Sequence, residues 1–321
     1  MSTLHVVFGT GALGRATVSA LARRGHRVRA VNRAGQSRGL PAGVEFVRAD
    51  AAEPAEARAA ARGAAVVYQC AQPGYTEWPA RFPPLQASIL GAARAAGARL
   101  VVGDNLYMYG PTDGPLVETL PYAATTRKGA VRARMAEALL EAHARGEVEV
   151  ALGRASDFFG PGVSGSAVGE RLFHAVARGK AAGVFGDPDA LHTYTFVEDF
   201  GEALAVLGER DEALGRAWHV PSAPTGTTRA FVERAFQIAG HPPRVRAAGR
   251  TLMRLVGLAV PEVRESVEML YAFERPFVVD HSAYAAAFGD HATPLVESLT
   301  RALGGSRDRV GVAQRGRASG V

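Results

Sequence analysis

A glycine-rich turn near the start of the chain constrains its fold more than any other segment. The residues Gly9-Thr10-Gly11-Ala12-Leu13-Gly14 follow an apolar run at 4–8 and precede a helical pattern at 15–24. A strand, a turn and a helix in this order let the backbone approach a pyrophosphate, whose charge is favoured by the free N–H groups at the helix N-terminus. The motif alone is weakly specific, but this context predicts a dinucleotide site. The predicted cofactor contacts here are Gly9, Thr10, Gly11, Ala12, Leu13 and Gly14.

Strand and helix patterns then alternate through the first half of the chain. Predicted strands at 27–31, 44–47, 65–70, 99–103 and 148–153 are separated by predicted helices, of which the clearest lie at 55–62, 81–96 and 126–145. This succession predicts an α/β fold: a Rossmann-type doubly wound parallel sheet that binds its ligands at the carboxyl ends of the strands.

The pattern loosens after Gly153, which predicts a second lobe. We expect a dinucleotide-binding domain over residues 1–153, with 192–221 folding back onto it. A smaller C-terminal substrate lobe is expected from 154–191 and 222–303. The final segment, 304–321, is rich in Gly, Ser and Arg and poor in apolar residues, which predicts a disordered tail.

Composition and charge exclude several classes of protein. Cys70 is the single cysteine, so no intramolecular disulfide can form, and a reducing, cytoplasmic location is expected. No secretory signal or apolar run of about 20 residues is present, so no membrane partner is expected. The net charge is +6, but the arginines are scattered, and a solvated surface is favoured over a nucleic-acid groove. No metal-ligand or serine-hydrolase motif occurs, so no metal site is predicted.

Several motifs together resemble the extended short-chain dehydrogenase/reductase family, in its atypical, NAD-dependent epimerase/dehydratase-like branch. The resemblance spans residue 4 to about 300. Its motifs are the glycine turn, Asp50, Cys70-Ala71, Tyr109-Gly110-Pro111, Lys128, Phe159-Gly160-Pro161-Gly162 and Val197-Glu198-Asp199. One departure is that Phe8 replaces the first glycine of the family's usual turn. The resemblance also implies a possible homodimer through the helices at 81–96 and 126–145.

The end of the second predicted strand bears on the choice of cofactor. It reads Asn32-Arg33, where an NAD enzyme places a carboxylate for the ribose 2′-hydroxyl and an NADP enzyme supplies an arginine. A neutral amide and a guanidinium suit a 2′-phosphate, so NADP is expected, with NAD as the alternative. The resemblance implies further cofactor contacts, and assigns the adenine amine to the first of them: Asp50, Ala51, Cys70, Ala71 and Gln72.

The resemblance also implies a catalytic group in which a lysine, here Lys128, holds the nicotinamide ribose and lowers the pKa of an acid/base tyrosine. Lysine occurs only at Lys128 and Lys180; a solvated surface lysine is the alternative reading. Asn105 stands where the family has a Ser or Thr that polarises the substrate carbonyl, and its amide can donate a hydrogen bond. Ala124 stands in the tyrosine position.

Other tyrosines are therefore candidates for the proton transfer. Tyr122 could reach the site if the helix begins only at residue 125, and Tyr107 lies in the loop after a strand. Packing or cofactor contact is an equally good interpretation of each, and Tyr109 is placed among the substrate contacts.

Two positions bear on the substrate itself. His192 stands where sugar-nucleotide enzymes of the family commonly have an arginine for the diphosphate, and Asp157 where they often have an asparagine. Both changes disfavour a diphosphate. The two residues could form an acid/base pair, although simple loop polarity is an alternative.

The expected function is NADP-dependent hydride transfer between the nicotinamide and a carbonyl or alcohol of a small-molecule substrate. Because the Ser/Thr and Tyr positions are both altered, a cofactor-binding redox sensor or scaffold without turnover is the alternative. A sugar-nucleotide epimerase or dehydratase is the third interpretation.

Overall fold

The computed structural model describes residues 3–35 and 39–305. The strands are β1 (Leu4–Phe8), β2 (Arg27–Asn32), β3 (Glu45–Arg48), β4 (Val66–Gln69), β5 (Arg99–Asp104), β6 (Val150–Arg154), β7 (Phe158–Phe159), β8 (Ala182–Phe185), β9 (Leu191–His192), β10 (Thr195–Phe196), β11 (Arg216–His219), β12 (Gly226–Thr227) and β13 (Val245–Ala248).

The helices are α1 (Ala12–Arg23), α2 (Pro54–Ala61), α3 (Trp78–Ala96), α4 (Arg127–Ala144), α5 (Glu170–Ala177), α6 (Val197–Glu209), α7 (Thr228–Ala239), α8 (Arg250–Gly257), α9 (Pro261–Ser266), α10 (Tyr271–Glu274) and α11 (Ser282–Phe288). Short 3₁₀ turns lie at Tyr75–Glu77, Tyr107–Tyr109, Asp211–Ala213 and Val267–Met269. Residues 295–305 are also helical.

Seven parallel strands form the central sheet in the order β11-β6-β5-β4-β1-β2-β3. The apolar strands are buried on both faces because helices cover both. Alternate residues of β1 show this: Val6 and Phe8 pack with α2, α3 and α4, whereas Val7 packs with α1, α6 and α11. The predicted Rossmann-type doubly wound sheet is confirmed.

The remaining elements form a smaller core of their own. Helices α5 and α7 pack together beside the paired strands β8 and β13, around buried aromatic residues such as Phe159, Phe173 and Phe231. Strand β11 lies at the edge of the central sheet next to β6.

Some boundaries differ from the sequence prediction. The helix predicted at 81–96 begins at Trp78 and continues through Pro83 and Pro84, because buried Trp78, Phe82 and Leu85 anchor its first turns. Residues 191–196, which lie after the predicted strands, form two separate short strands, β9 and β10.

Most of the predicted disordered tail, 306–321, lies outside the described residues. No helix in the described ranges combines the length and apolar character that crossing a bilayer requires.

Candidate active site

A cavity of about 830 Å³ lies along the carboxyl ends of the central strands. One end is formed by the glycine turn and the end of β2. The other end is formed by residues after β5 and β6 and by Phe277 from the C-terminal part of the chain. Its position is the one where open parallel sheets bind ligands.

The glycine turn fits the cavity closely. Gly9 has φ +95°, and a Cβ on it would lie 2.6 Å from the Ala71 amide nitrogen. A Cβ on Gly14 would lie 1.8 Å from the Gly9 carbonyl oxygen. The turn and α1 can therefore lie this close only because both positions are glycine. Helix α1 begins at Ala12, and no side chain caps its N-terminus. The turn residues that line the cavity are Gly9, Thr10, Gly11, Ala12 and Leu13. Gly14 lies behind them and packs against the Gly9 carbonyl group.

The end of β2 carries a neutral amide and a guanidinium into the cavity wall. Asn32 donates from Nδ2 to Thr10 Oγ1 at 2.6 Å and accepts the Gly35 amide at 3.0 Å. Arg33 is largely exposed, with its Nη1 3.9 Å from Asp50 Oδ2. The Arg15 guanidinium, absent from the sequence prediction, also lines this end and donates to the Thr10 carbonyl at 3.3 Å.

The predicted contacts after β3 and β4 also lie in the cavity wall: Asp50, Ala51, Cys70, Ala71 and Gln72. Asp50 Oδ1 accepts the Ala52 amide at 3.0 Å, which holds the carboxylate in its turn. Burial raises the pKa of the Cys70 thiol to about 12, so it is a protonated wall residue at neutral pH.

Asn105 and Tyr107 lie at the opposite end of the cavity, after β5. The Tyr107 amide donates to Asn105 Oδ1 at 3.0 Å, which fixes the orientation of the Asn105 side chain. The hydroxyls of Tyr107 and Tyr75 are hydrogen-bonded to each other, and burial raises the pKa of both well above the ordinary tyrosine value.

Lys128 has different partners from those that the resemblance implied. Its ammonium group is fully buried, donates to the carboxylates of Glu265 and Glu268 (3.1 Å to Glu268 Oε1), and lies 4.5 Å from the centre of the Tyr75 ring. Within the described ranges, Lys128 is not among the residues that line the cavity. Lys128 contacts the cavity-wall residue Tyr75 from behind.

Arg132 reaches the cavity instead, and the sequence prediction missed it. Thr126 caps α4, so Lys128 lies in the first turn and Arg132 one turn later on the same face. The Arg132 guanidinium lines the cavity, and its Nε donates to Asp104 Oδ1 at 3.1 Å. The signal was available in the sequence as the basic pair at i and i+4.

Tyr109 and Tyr122 belong to a buried network behind this wall. Arg154 donates to Asp104 Oδ2 at 3.2 Å, to the Tyr109 hydroxyl at 2.6 Å, and to the Tyr122 hydroxyl. Tyr109 in turn donates to His219 Nε2 at 3.0 Å, since burial lowers the pKa of His219 and keeps its ring neutral. In the part of the chain that the structure describes, neither tyrosine lines the cavity.

Asp157 and His192 are brought together, although 35 residues separate them. His192 Nε2 lies 3.1 Å from Asp157 Oδ2, and His192 Nδ1 lies 3.1 Å from the Ala272 carbonyl oxygen. Asp157 faces the cavity, whereas His192 is buried behind it.

A family model described as the NAD dependent epimerase/dehydratase family matches residues 6–220. The chain belongs to this family. The resemblance predicted from the sequence is thereby confirmed, and the chain is an epimerase/dehydratase-like enzyme. No curated protein matches the chain closely enough to count as a relative.

Solved structures of similar fold include three epimerases. A nucleoside-diphosphate-sugar epimerase from Pseudomonas aeruginosa is 18% identical, with a TM-score of 0.78 over 96% of this chain and 99% of that one. The UDP-glucuronic acid 4-epimerase of Bacillus cereus, in complex with NAD, is 15% identical, with a TM-score of 0.77 over 95% and 99%. The UDP-glucose 4-epimerase of Thermus thermophilus, also with NAD, is 19% identical, with a TM-score of 0.75 over 95% and 99%. At these identities the likeness concerns the fold.

The residues predicted to form one catalytic group do not all lie at the cavity. Ala124, counted as the tyrosine position, lies in the loop before α4 and donates its amide to the Met108 carbonyl. Helix α4 begins within one residue of the predicted start, and its first turn carries Lys128 while its second carries Arg132. Among the predicted catalytic residues, the structure brings Asn105 and Tyr107 to the cavity, while Lys128 and Tyr122 lie behind it.

Proposed function

We propose that this family member is an NADP-dependent oxidoreductase that transfers a hydride between the nicotinamide and a carbonyl or alcohol carbon. Family membership and the cavity along the strand ends support a nicotinamide dinucleotide. The Bacillus cereus and Thermus thermophilus epimerases of the same fold were both solved with NAD. The glycine turn supplies backbone amides for the pyrophosphate at the start of α1.

Two guanidinium groups support NADP over NAD. Arg33 and Arg15 both line the end of the cavity formed by the glycine turn and β2, which we call the adenosine end. Asn32 supplies a neutral amide there, where an NAD enzyme has a carboxylate. An arginine can bind a phosphate through charge-assisted hydrogen bonds. Asp50 Oδ2 lies 3.9 Å from Arg33 Nη1, close enough to orient the Arg33 side chain.

The charge at the other end, formed by residues after β5 and β6 and called here the substrate end, supports the choice of an oxidoreductase over a sugar-nucleotide enzyme. Among the described cavity residues, the basic side chains are Arg15, Arg33, Arg81 and Arg132. Arg15 and Arg33 lie at the adenosine end. Arg81 is hydrogen-bonded to Glu77 and interacts electrostatically with Asp50, which places it there too.

At the substrate end, Arg132 is therefore the remaining cation, and Asp104 holds it. The carboxyl group of Asp157 and the aromatic side chains of Tyr75, Trp78 and Phe277 are also among the residues at this end. A nucleoside diphosphate would find there the Asp157 carboxyl group and, in Arg132, a guanidinium already paired with Asp104. A neutral or cationic, largely apolar substrate fits better than a sugar nucleotide.

The cavity residues can be assigned roles on this basis. Arg132 would hold the nicotinamide ribose, because it is the basic side chain of α4 that reaches the cavity. Asn105 would donate its amide to the substrate oxygen. Lys128 would act through Tyr75. The cytoplasmic location and a homodimer through α3 and α4 stay predictions.

The altered tyrosine position also supports a second candidate, a cofactor-binding redox sensor or scaffold. Tyr107 has a raised pKa, and Tyr122 is bonded to Arg154, so neither is prepared as an acid. Turnover of any carbonyl compound distinguishes the enzyme from this alternative.

Calorimetric titration with NADPH and with NADH tests the cofactor. A guanidinium–phosphate hydrogen bond contributes about 1.5–3 kcal/mol, so Arg33→Ala should weaken NADPH binding by roughly 10- to 100-fold. NADH binding should change little, and the exposed Arg58→Ala on α2 serves as a control. Loss of reduced-nicotinamide absorbance with a panel of aldehydes and ketones then tests hydride transfer. If neither nucleotide binds, or if Arg33→Ala leaves NADPH binding unchanged, the assignment of NADP is wrong.

A further inference from the structure

The hydrogen bonds of His192 fix the protons that it shares with Asp157. A carbonyl oxygen can only accept, so His192 Nδ1 must carry a proton that it donates to Ala272 at 3.1 Å. The remaining contact joins Nε2 to Asp157 Oδ2 at 3.1 Å. That contact is a hydrogen bond only if a proton lies on one of the two atoms. Imidazolium with carboxylate and imidazole with carboxylic acid both satisfy it.

The surroundings of His192 leave Asp157 as its connection to the cavity. The imidazole is stacked between aromatic rings, with ring-centre distances of 4.6 Å to Tyr194, 4.8 Å to Phe273 and 5.1 Å to Phe277. Its side chain is 1% exposed, whereas that of Asp157 is 17% exposed and lines the cavity. A proton that moves between His192 and a bound substrate must therefore pass through the Asp157 carboxyl group.

The groups that surround Asp157 do not compete for this role. Four tyrosines from separate elements lie in its electrostatic field: Tyr75, Tyr107, Tyr194 and Tyr271. Burial raises the pKa of all four, to about 12 for Tyr271, so they stay protonated and uncharged near neutral pH. Two charged clusters lie at this end of the cavity: Arg132 paired with Asp104 in the wall, and Lys128 with Glu265 and Glu268 behind Tyr75.

We propose that Asp157 is the acid/base that contacts the substrate oxygen and that His192 is the positioning residue that stores its proton. This inference rests on the proposed oxidoreductase function. It replaces the missing tyrosine with a carboxyl–imidazole pair.

The step balances in both directions. Reduction starts from the pair with two protons, one of them taken up from water, as an imidazolium and a carboxylic acid protonated on Oδ1. A nicotinamide bound along the strand ends would supply the hydride to the carbonyl carbon, and the carbonyl oxygen takes the proton from Asp157 Oδ1. The proton on His192 Nε2 can then shift to Oδ2, which leaves the pair with one shared proton. In oxidation, the hydroxyl proton moves to Oδ1 while the bound nicotinamide would accept the hydride, the proton on Oδ2 shifts to Nε2, and the pair then gives one proton to water. Two electrons move with the hydride, and no further reactant is needed.

Asp157→Asn tests the step, because the amide can still donate to His192 Nε2 while it cannot carry a proton to substrate. With NADPH and 4-nitrobenzaldehyde, a flat aromatic carbonyl without phosphate, kcat should fall by roughly 10²–10⁴-fold. The affinity for NADPH should be unchanged, and the pH-rate profile should lose one limb. Asp157→Glu should restore part of kcat, and Asp189→Asn, on the surface beside Arg229, is the control of equal charge.

The proton itself can be observed without substrate. In protein labelled with ¹⁵N-histidine, the His192 signals are identified by their loss in His192→Gln. We expect Nε2 to show shared or full protonation at neutral pH in the wild type and a bare acceptor nitrogen in Asp157→Asn.

The outcomes separate the two proposals. A wild type that binds no NADPH, or that binds it and leaves the aldehyde unreduced, overturns the proposed function. Normal turnover and an unchanged pH profile in Asp157→Asn overturn the Asp157–His192 pair alone. A wild-type His192 ring whose Nε2 stays a bare acceptor throughout the pH range of activity does the same, because such a ring never stores the proton.

Discussion

Replacing Lys128 with methionine separates a structural role for this residue from the cofactor role that the resemblance implies. The substitution keeps the length and packing of the side chain and removes the ammonium group. In the structure that group is fully buried and is bonded to Glu265 and Glu268. Its loss leaves two carboxylates facing each other, with the exposed Arg127 guanidinium 3.9 Å from Glu265 Oε1, and it removes the contact with the Tyr75 ring.

The size of the effect follows from the burial of the partners. Breaking a fully buried ion pair typically costs about 3–5 kcal/mol, because one charge is stranded. Here the stranded carboxylates keep 17% and 24% of their side-chain surface exposed, so water reaches them. The cost should therefore be about 2–3 kcal/mol. For 321 residues, at about 2.1 cal/mol/K each, this corresponds to a fall in Tm of about 3–4 °C.

The pH dependence of this loss can also be derived. The hydrogen bond from Lys128 lowers the pKa of Glu265 below its ordinary value. A carboxyl group with a lowered folded-state pKa contributes stability above its unfolded pKa, and this contribution is lost as the pH falls through the folded value. The difference in Tm between wild type and Lys128→Met should thus be largest near neutral pH and shrink below about pH 4.

The assay is thermal unfolding followed by circular dichroism, together with calorimetric titration of NADPH. Lys180, the chain's other lysine, is exposed, so Lys180→Met is a matched control that should leave both measurements unchanged. If Lys128 acts only through Tyr75, the Kd for NADPH should stay within about threefold of the wild-type value. An unchanged Tm with a tenfold or greater loss of NADPH affinity would refute this reasoning and would return Lys128 to the ribose site.

Three further predictions concern the cavity wall and the buried interior of the protein. Asp104→Asn removes the charge that holds Arg132 and Arg154, both buried; it should cost about 3–5 kcal/mol in urea unfolding, and a loss below about 1 kcal/mol would contradict the buried cluster. Gly14→Ala should abolish NADPH binding by calorimetry, because its Cβ would lie 1.8 Å from the Gly9 carbonyl oxygen, whereas Gly91→Ala, with open space around it, should bind normally. Burial lowers the pKa of His5 to about 4, so the unfolded chain binds its proton first, and stability should fall between about pH 6.5 and 4. His5→Gln should flatten the Tm–pH curve in that window, and an unaltered curve would count against a neutral buried ring.

The sheet could be predicted from the sequence because its signals are local. Each central strand is a short apolar run, and the glycine turn marks the first crossover. The family resemblance was equally accessible, since its motifs depend on order and spacing. Both were confirmed.

The arrangement of the candidate catalytic groups could not be predicted in the same way. The Lys128 ammonium is held by residues 137 and 140 positions further along the chain. The start of α4 was predicted to within one residue, but it is packing against β5 and α9 that brings Arg132 rather than Lys128 to the cavity. Asp157 and His192 meet because β7 and β10, the short strands that follow them, pair in the folded chain. Pairings of this kind depend on tertiary packing that no local pattern encodes.

The burial of Lys128 gives the protein a built-in chemical probe of its own motion. Besides the N-terminal amine, the chain offers acylating reagents two primary amines, and the structure buries one of them between α4 and α9. Acylation of Lys180 should follow the rate of an exposed amine, while that of Lys128 should be limited by how often α9 separates from α4. Mass spectrometry of the two peptides would therefore report how often this wall opens, with the acylation rate of Lys180 as the internal reference. Any ligand that closes the cavity should slow one signal and leave the other untouched.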